Sequence, residues 1–463
     1  MKEGGWEKAP GEREEEGNSA NHVVRYRVST ETSSPGFGEE KGGEMKVAKI
    51  TLFALLAALV AVGVSTTSYA FHSGGVAECT GCHSMHSPKA GASFLLIGGD
   101  QSSVCLSCHM HAGDTGPSSY HIMTPDSDAP AGVPPKQRTP GGDFGWLRKT
   151  YTFTVRGTVN TEDGATHGHN VVAADFGMVA DPTNTLSPGG SFSSAQLGCQ
   201  SCHDPHSAIR RLDTGAYVKG GLVGATYVSS APIIGSGSTG TIPPAGQAVG
   251  VYRLLRGLGD SSQTGATFPS GVAVAVAPST YNQSEVTNQV RVAYGSSAAN
   301  SWSDWCATCH IKMHGASGTT HPVDQALGST YVNNYNAYVK SGDLSGSSTS
   351  SFTSLVPFAE GVDTIATLKT HASSTNGYLT GPATTDKVIC LSCHRAHASA
   401  FPEMLRWNME NEFMTTTAGT TVYQIEARGR TNAEAVASYY DRPPTPTFAT
   451  FQRVLCNKCH VKD

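Results

Sequence analysis

Cysteine and histidine recur together six times along the chain. The pentads are Cys79-x-x-Cys82-His83, Cys105-x-x-Cys108-His109, Cys199-x-x-Cys202-His203, Cys306-x-x-Cys309-His310, Cys390-x-x-Cys393-His394 and Cys456-x-x-Cys459-His460, and they use all 12 cysteines. Two thiols three residues apart can form thioether bonds to the two vinyl groups on one porphyrin edge. The histidine that follows is then aimed at the iron as proximal ligand. Six pentads that consume every cysteine outweigh the disulfide and zinc readings that an exported, cysteine-rich chain otherwise invites. The spacing predicts six haem c groups, each held by its cysteine pair, with His83, His109, His203, His310, His394 and His460 as proximal iron ligands.

Of the 18 histidines, His22 precedes the candidate leader and eleven others are not proximal. Six irons need six more ligands, so the supply suffices for bis-histidine ligation throughout. Met85, Met110 and Met313 are the nearby thioether alternatives, and methionine ligation raises the potential of a haem. His86, His206 and His397 each stand three residues after a proximal histidine, in His-Ser-Met-His, His-Asp-Pro-His and His-Arg-Ala-His. A ligand that close in sequence cannot reach the far face of its own haem, but it can complete a neighbouring one. His121, His169 and His321 sit in loop contexts suited to ligation, which makes these six the favoured distal set. His72, His111, His314 and His371 are reserve candidates, and His167 is a bystander to His169.

The elements that must position these groups are sparse. Glycine is 52 of 463 residues, about 11% against a usual 7%, and long helical apolar stripes are scarce. Tyr151–Val155 and Val286–Val292 alternate like strands. Thr431 to Tyr440 reads as a helix with Thr431 and Glu434 forming a capping box. The expected fold is a multihaem cytochrome of mostly irregular loops, with short helices and a few short strands wrapped around a chain of six haems. The haems themselves are expected to form the hydrophobic core, because so polar a chain buries too little surface to fold without them.

Residues 1–44 are polar and charge-rich and are read as an upstream, non-native extension. Residues 45–70 have a basic start, an apolar stretch from Leu52 to Val64 and a small-residue end at Ala70, the pattern of a secretory signal peptide. Residues 71–463 form a single hexahaem domain, about 65 residues per haem. No segment approaches the roughly 20 apolar residues of a membrane span. The net charge of −5 and the lack of a basic run argue against nucleic acid as a partner.

Several stretches resemble a known family, the extracellular filament-forming hexahaem c-type cytochromes of metal-reducing bacteria. They include Phe71-His-Ser-Gly-Gly-Val-Ala-Glu-Cys79, His111-Ala-Gly-Asp-Thr-Gly-Pro-Ser-Ser-Tyr-His-Ile122 and Thr139-Pro-Gly-Gly-Asp-Phe-Gly-Trp146. Ala275–Asn282, Cys390–His397 and Leu455–His460 extend the match over essentially all of 71–463. The resemblance implies head-to-tail polymers with one continuous haem chain and low-spin haems. It also implies that His86 of one subunit completes the haem on Cys390, Cys393 and His394 of its neighbour. Two departures are the short interval from Cys79 to Cys105 and the additional His167.

The expected function is extracellular electron transfer rather than enzymatic turnover. Electrons would pass from other cytochromes as donors, along the filament, to acceptors such as metal oxides. The alternatives are a monomeric periplasmic electron shuttle and a multihaem nitrite-type reductase. The reductase needs an iron with a vacant position, often marked by lysine in place of the pentad's histidine, and all six pentads here end in histidine.

Overall fold

A hairpin of β1 (Tyr151–Val155) and β2 (Thr158–Glu162) is the longest strand pair. Its register runs from Tyr151↔Glu162 to Val155↔Thr158, across a two-residue turn whose Arg156 and Gly157 both have positive φ. Such a turn matches the right-handed twist of the strands it joins. The structure, a computed structural model, describes residues 79–460 apart from 114–118, 221, 224–225, 228–230, 262–264, 280–284, 286–288, 315–319 and 419–420. The segments read as a leader and an upstream extension, and His72, lie outside the described residues.

The helices are short, and the cysteine motifs sit on them. They are α1 (Cys79–Cys82), α2 (Gln101–His109), α3 (Cys199–Cys202), α4 (Trp302–Ala307), α5 (Gly328–Ala337), α6 (Ile365–His371), α7 (Cys390–Cys393), α8 (Asn432–Ser438) and α9 (Pro444–Thr447). A 3-10 turn at Leu455–Lys458 carries Cys456. Small sheets fill the space between them. Ile209–Leu212 pairs with Tyr217–Lys219 and Ala248–Val249, and Ala293–Gly295 pairs with Ala275–Val276 and Ala359–Glu360. Loops that connect short helices and strands dominate, as the composition predicts. Among the described residues no helix is long and apolar enough to cross a membrane.

Helix α8 starts as expected, with Thr431 Oγ1 accepting from the Glu434 N–H and the Glu434 carboxylate accepting from the Thr431 N–H. The strand expected over Val286–Val292 is not found there. Residues 286–288 lie outside the described set, and the strand begins at Ala293. Val290, Arg291 and Val292 are all buried, so the alternation of apolar and polar residues does not mark an inner and an outer face. Arg291 is held by its side chain instead, ion-paired to Glu360 at 2.9 Å and stacked over Phe352, Phe358 and Tyr378.

The protein also has a larger apolar core than its composition suggests. Trp146, Trp407, Tyr335, Tyr439, Phe401 and Phe448 belong to one buried cluster that joins β1, α5 and α8. That scaffold fixes the segments on which the histidines stand.

Candidate haem-binding sites

In an α-helical turn, residues three apart are neighbours on one face, so each helical Cys-x-x-Cys presents both sulfurs to the same side. The chain leaves the helix as each motif ends. The N–H of His83, His203, His310, His394 and His460 bonds to the carbonyl of the first cysteine of its own motif, at 2.8–3.1 Å. All 12 cysteines are free of disulfides. Burial pushes the Cys202 and Cys393 thiols up to about 12, an environment suited to a neutral thiol or thioether rather than a thiolate metal ligand.

The proximal imidazoles are oriented by the backbone. Nδ1 donates to the carbonyl of Phe94 in His83, Tyr120 in His109, Arg253 in His203, Pro188 in His310 and Glu403 in His394, at 2.7–2.9 Å. A carbonyl can only accept, so each Nδ1 carries the proton and Nε2 keeps its lone pair for a metal.

Three of these anchors are one repeated module. Phe94, Arg253 and Glu403 are each the middle residue of a 3-10 turn and each has positive φ, as do Leu95, Leu254 and Met404 after them. The next residues, Leu96, Leu255 and Leu405, bridge to His83, His203 and His394. The N–H groups of Ile97, Arg256 and Arg406 then bond to the carbonyls of Cys82, Cys202 and Cys393. Motifs one, three and five therefore share a backbone trap that the sequence analysis missed. Its only trace in the sequence is Ser-Phe-Leu-Leu, Tyr-Arg-Leu-Leu and Pro-Glu-Met-Leu at Ser93, Tyr252 and Pro402. Motifs two and four repeat as well. Ser102 and Ser303, each three residues before a first cysteine, accept the N–H of Cys199 and Cys390 respectively.

A metal–imidazole bond of about 2.0–2.1 Å and a nitrogen about 1.1–1.2 Å from its ring centre put two trans imidazoles with centroids about 6.3 Å apart. Four proximal rings have a partner at that separation. His83 faces His206 at 6.3 Å, His203 faces His397 at 6.4 Å, His310 faces His169 at 6.1 Å and His460 faces His321 at 6.0 Å. The donor set and its spacing fit bis-histidine haem. Burial lowers His169 to about 4 and His397 to about 3, and it lowers His203 as well, which keeps these three rings neutral.

The other histidines are placed differently. His121 is buried beside His109, whose protonation is disfavoured chiefly by burial and also by this neighbour. Its ring is 5.0 Å from that of His111, whose Nδ1 accepts from the Gly113 N–H. An accepting Nδ1 puts the proton of neutral His111 on Nε2, the opposite tautomer from the proximal set. His371 donates Nδ1 to Glu360 at 2.6 Å and stacks on Tyr378. His314 faces the carboxylates of Asp304 and Asp324. His86 is exposed, beside Met85. His167 is buried with Nδ1 on the Trp146 carbonyl and Nε2 on Glu162, so both nitrogens are engaged. His167→Phe should therefore leave the low-spin absorption spectrum unchanged while lowering stability by about 1–3 kcal/mol. A denaturant melt alongside the Soret spectrum checks both halves.

The thiols order the six motifs into a line. Cys82 lies within electrostatic reach of Cys108, Cys202 of Cys309, and Cys393 of Cys456 and Cys459. At the two remaining junctions the sulfurs hydrogen-bond directly, Cys105 with Cys199 and Cys306 with Cys390. That hydrogen bond raises Cys105 and Cys306 and lowers Cys199 and Cys390. Neighbours in sequence are thus neighbours in space.

No family model matches the chain. It is 47% identical over 444 residues to the C-type cytochrome OmcS of Geobacter sulfurreducens, covering 90% of this chain and 99% of that protein. Two solved structures share its fold, each with a TM-score of 0.76 and covering 85% of this chain and 100% of theirs. One is the cryo-EM structure of OmcS nanowires, at 47% identity, and the other is an Outer Membrane Cytochrome S filament, at 46%, both from Geobacter sulfurreducens. The chain belongs to the OmcS family of c-type cytochromes.

Proposed function

We propose that the chain holds six haem c groups in the order of its motifs and polymerises head to tail into an extracellular electron-conducting filament. A bound haem c supplies a one-electron Fe(III)/Fe(II) couple. The thioether residues are the 12 cysteines, the proximal ligands are the six motif histidines, and His206, His397, His169 and His321 are the distal ligands of the first, third, fourth and sixth haems.

One observation carries the reading. The histidine three residues after motif three faces the proximal histidine of motif one, and the histidine after motif five faces that of motif three. Each module therefore completes the site two motifs back. Motif one has the same module and the same following histidine, His86, but no motif lies two back in its own chain. The site due to His86 is the fifth haem, at His394, of another copy. A heterologous contact of this kind extends without closing. Met85, Phe94, Leu95 and Ile97 are exposed near this end of the chain, an apolar surface suited to burial against a neighbour.

The same logic allocates the remaining haem. The distal residues of the fourth and sixth haems, His169 and His321, precede motifs three and five. By that rule the second haem takes a histidine ahead of motif one, His72. His121, beside His109, is the alternative within the described residues.

Within a subunit the chain's own residues fix each donor before an electron arrives. Nδ1 anchors hold the proximal rings, and the trapped turns hold the cysteine pairs. Motif histidines together with distal histidines would saturate each bound haem and leave no position for a substrate. The acceptors proposed are extracellular solids such as metal oxides, and the donors other cytochromes. Electron microscopy of the purified, haem-loaded protein tests the assembly. Filaments are expected, and single particles at all concentrations would refute the polymer.

A further inference from the structure

We propose that Asp304, His314 and Asp324 form a separate site for one divalent first-row transition-metal ion, beside the junction of motifs four and five. Asp304 lies in the first turn of α4, whose N-cap is Ser301. Asp324 reaches the same point from a loop residue held at positive φ. Its Oδ2 accepts from Ser301 Oγ and from the Ser303 N–H at 3.2 Å, while its Oδ1 is buried without a hydrogen-bond partner. His314 Nε2 is 3.3 Å from Asp304 Oδ1 and 3.4 Å from Asp324 Oδ2. It is nonetheless a buried atom aligned to hydrogen-bond with neither. The three residues offer donor atoms that all lie within 4.8 Å of one another.

These contacts are spaced as metal ligands are. An imidazolium placed between two carboxylates would point its N–H at one of them. The two N···O separations instead match the edges of a coordination polyhedron. For metal–ligand bonds of about 2.0–2.1 Å, tetrahedral edges run about 3.3–3.4 Å. Two carboxylates with oxygens within 4.8 Å of each other also repel unless a cation lies between them. One imidazole with two carboxylates selects ions such as Zn²⁺ or Mn²⁺ over the all-oxygen preference of Ca²⁺. Asp304 is half exposed, which opens the site to solvent and leaves room for water as the remaining ligand.

The location has a consequence for the electron path. The Asp324 carboxylate lies within electrostatic reach of both Cys306 and Cys390, so a cation bound to it sits near the sulfurs that join two neighbouring haem sites. Positive charge there favours the reduced state of those sites.

Calorimetric titration of the haem-loaded protein with Zn²⁺, then with Ca²⁺, tests the site. One Zn²⁺ per chain is expected, with little Ca²⁺ binding. Asp304→Asn and Asp324→Asn should each weaken Zn²⁺ by roughly tenfold or more. Asp304→Asn alters a half-exposed side chain and keeps its size, so it separates ligation from folding. Absence of Zn²⁺ uptake, uptake unchanged in both variants, or preference for Ca²⁺ overturns the proposal. So does loss of low-spin haem absorption in His314→Ala, since Nε2 would then belong to an iron.

Discussion

His86→Ala yields haem-loaded protein that no longer forms filaments and carries one haem in six without its second imidazole. Both effects follow from the module repeated at motifs one, three and five. His206 and His397 reach back within the chain to His83 and His203, at 6.3 and 6.4 Å. His86 is exposed and its counterpart is the fifth site of another subunit. Removing it deletes an iron–imidazole bond from every interface at once. If that bond contributes about 4 kcal/mol, the concentration needed to polymerise rises about a thousandfold. The apolar surface of Met85, Phe94, Leu95 and Ile97 remains, so weak association persists at high concentration. His206→Ala is the control, because it also strips one haem of a ligand but leaves the subunit contact intact. It should polymerise, with a similar gain of high-spin absorption. Normal filaments and a fully low-spin spectrum in His86→Ala would remove the intersubunit ligand from the account.

The two variants also show which parts of the design a reader of sequence can see. The six Cys-x-x-Cys-His motifs are legible because their residues keep a fixed local spacing. Strand β1 and the Thr431 cap are legible for the same reason, since their determinants lie within a few residues. The pairing of distal histidines is not. His169 and His310 are 141 positions apart in the sequence, and their approach depends on how loops cross the core around Trp146 and Trp407. The trap at Phe94, Arg253 and Glu403 is hidden for a different reason. It is made by backbone carbonyls and positive φ angles, so phenylalanine, arginine and glutamate serve equally well there. The strand expected at Val286–Val292 failed because alternation records burial on one face, whereas Arg291 is buried by an ion pair and by stacking.

Thr139-Pro-Gly-Gly-Asp-Phe-Gly-Trp146 looks unrelated to haem in the sequence, yet the structure folds it around His397. Phe144 stacks on the His397 ring at 4.9 Å, the Gly141 carbonyl accepts the His397 N–H at 2.8 Å, and Gly142 bridges to Ala398. Gly168 bridges to the same Ala398, and the His169 N–H donates to the His397 carbonyl at 2.9 Å. The candidate distal ligands of the third and fourth haems are therefore bonded to each other through their backbones, with glycine at both points of closest approach. A Cβ on Gly142 would lie 1.7 Å from the Ala398 carbonyl oxygen, and its φ of +96 disfavours any other residue. The conformational penalty alone is about 1–3 kcal/mol, and the backbone clash cannot be relieved by turning a side chain. Gly142→Val should therefore push the 396–398 segment away and withdraw His397 and His169 together. The expected result is loss of about a third of the low-spin signal, two haems in six, with destabilisation above about 4 kcal/mol. His397→Ala, by contrast, should affect one haem. Magnetic circular dichroism of both variants decides the point: equal high-spin content in the two would mean that the third and fourth sites are held independently.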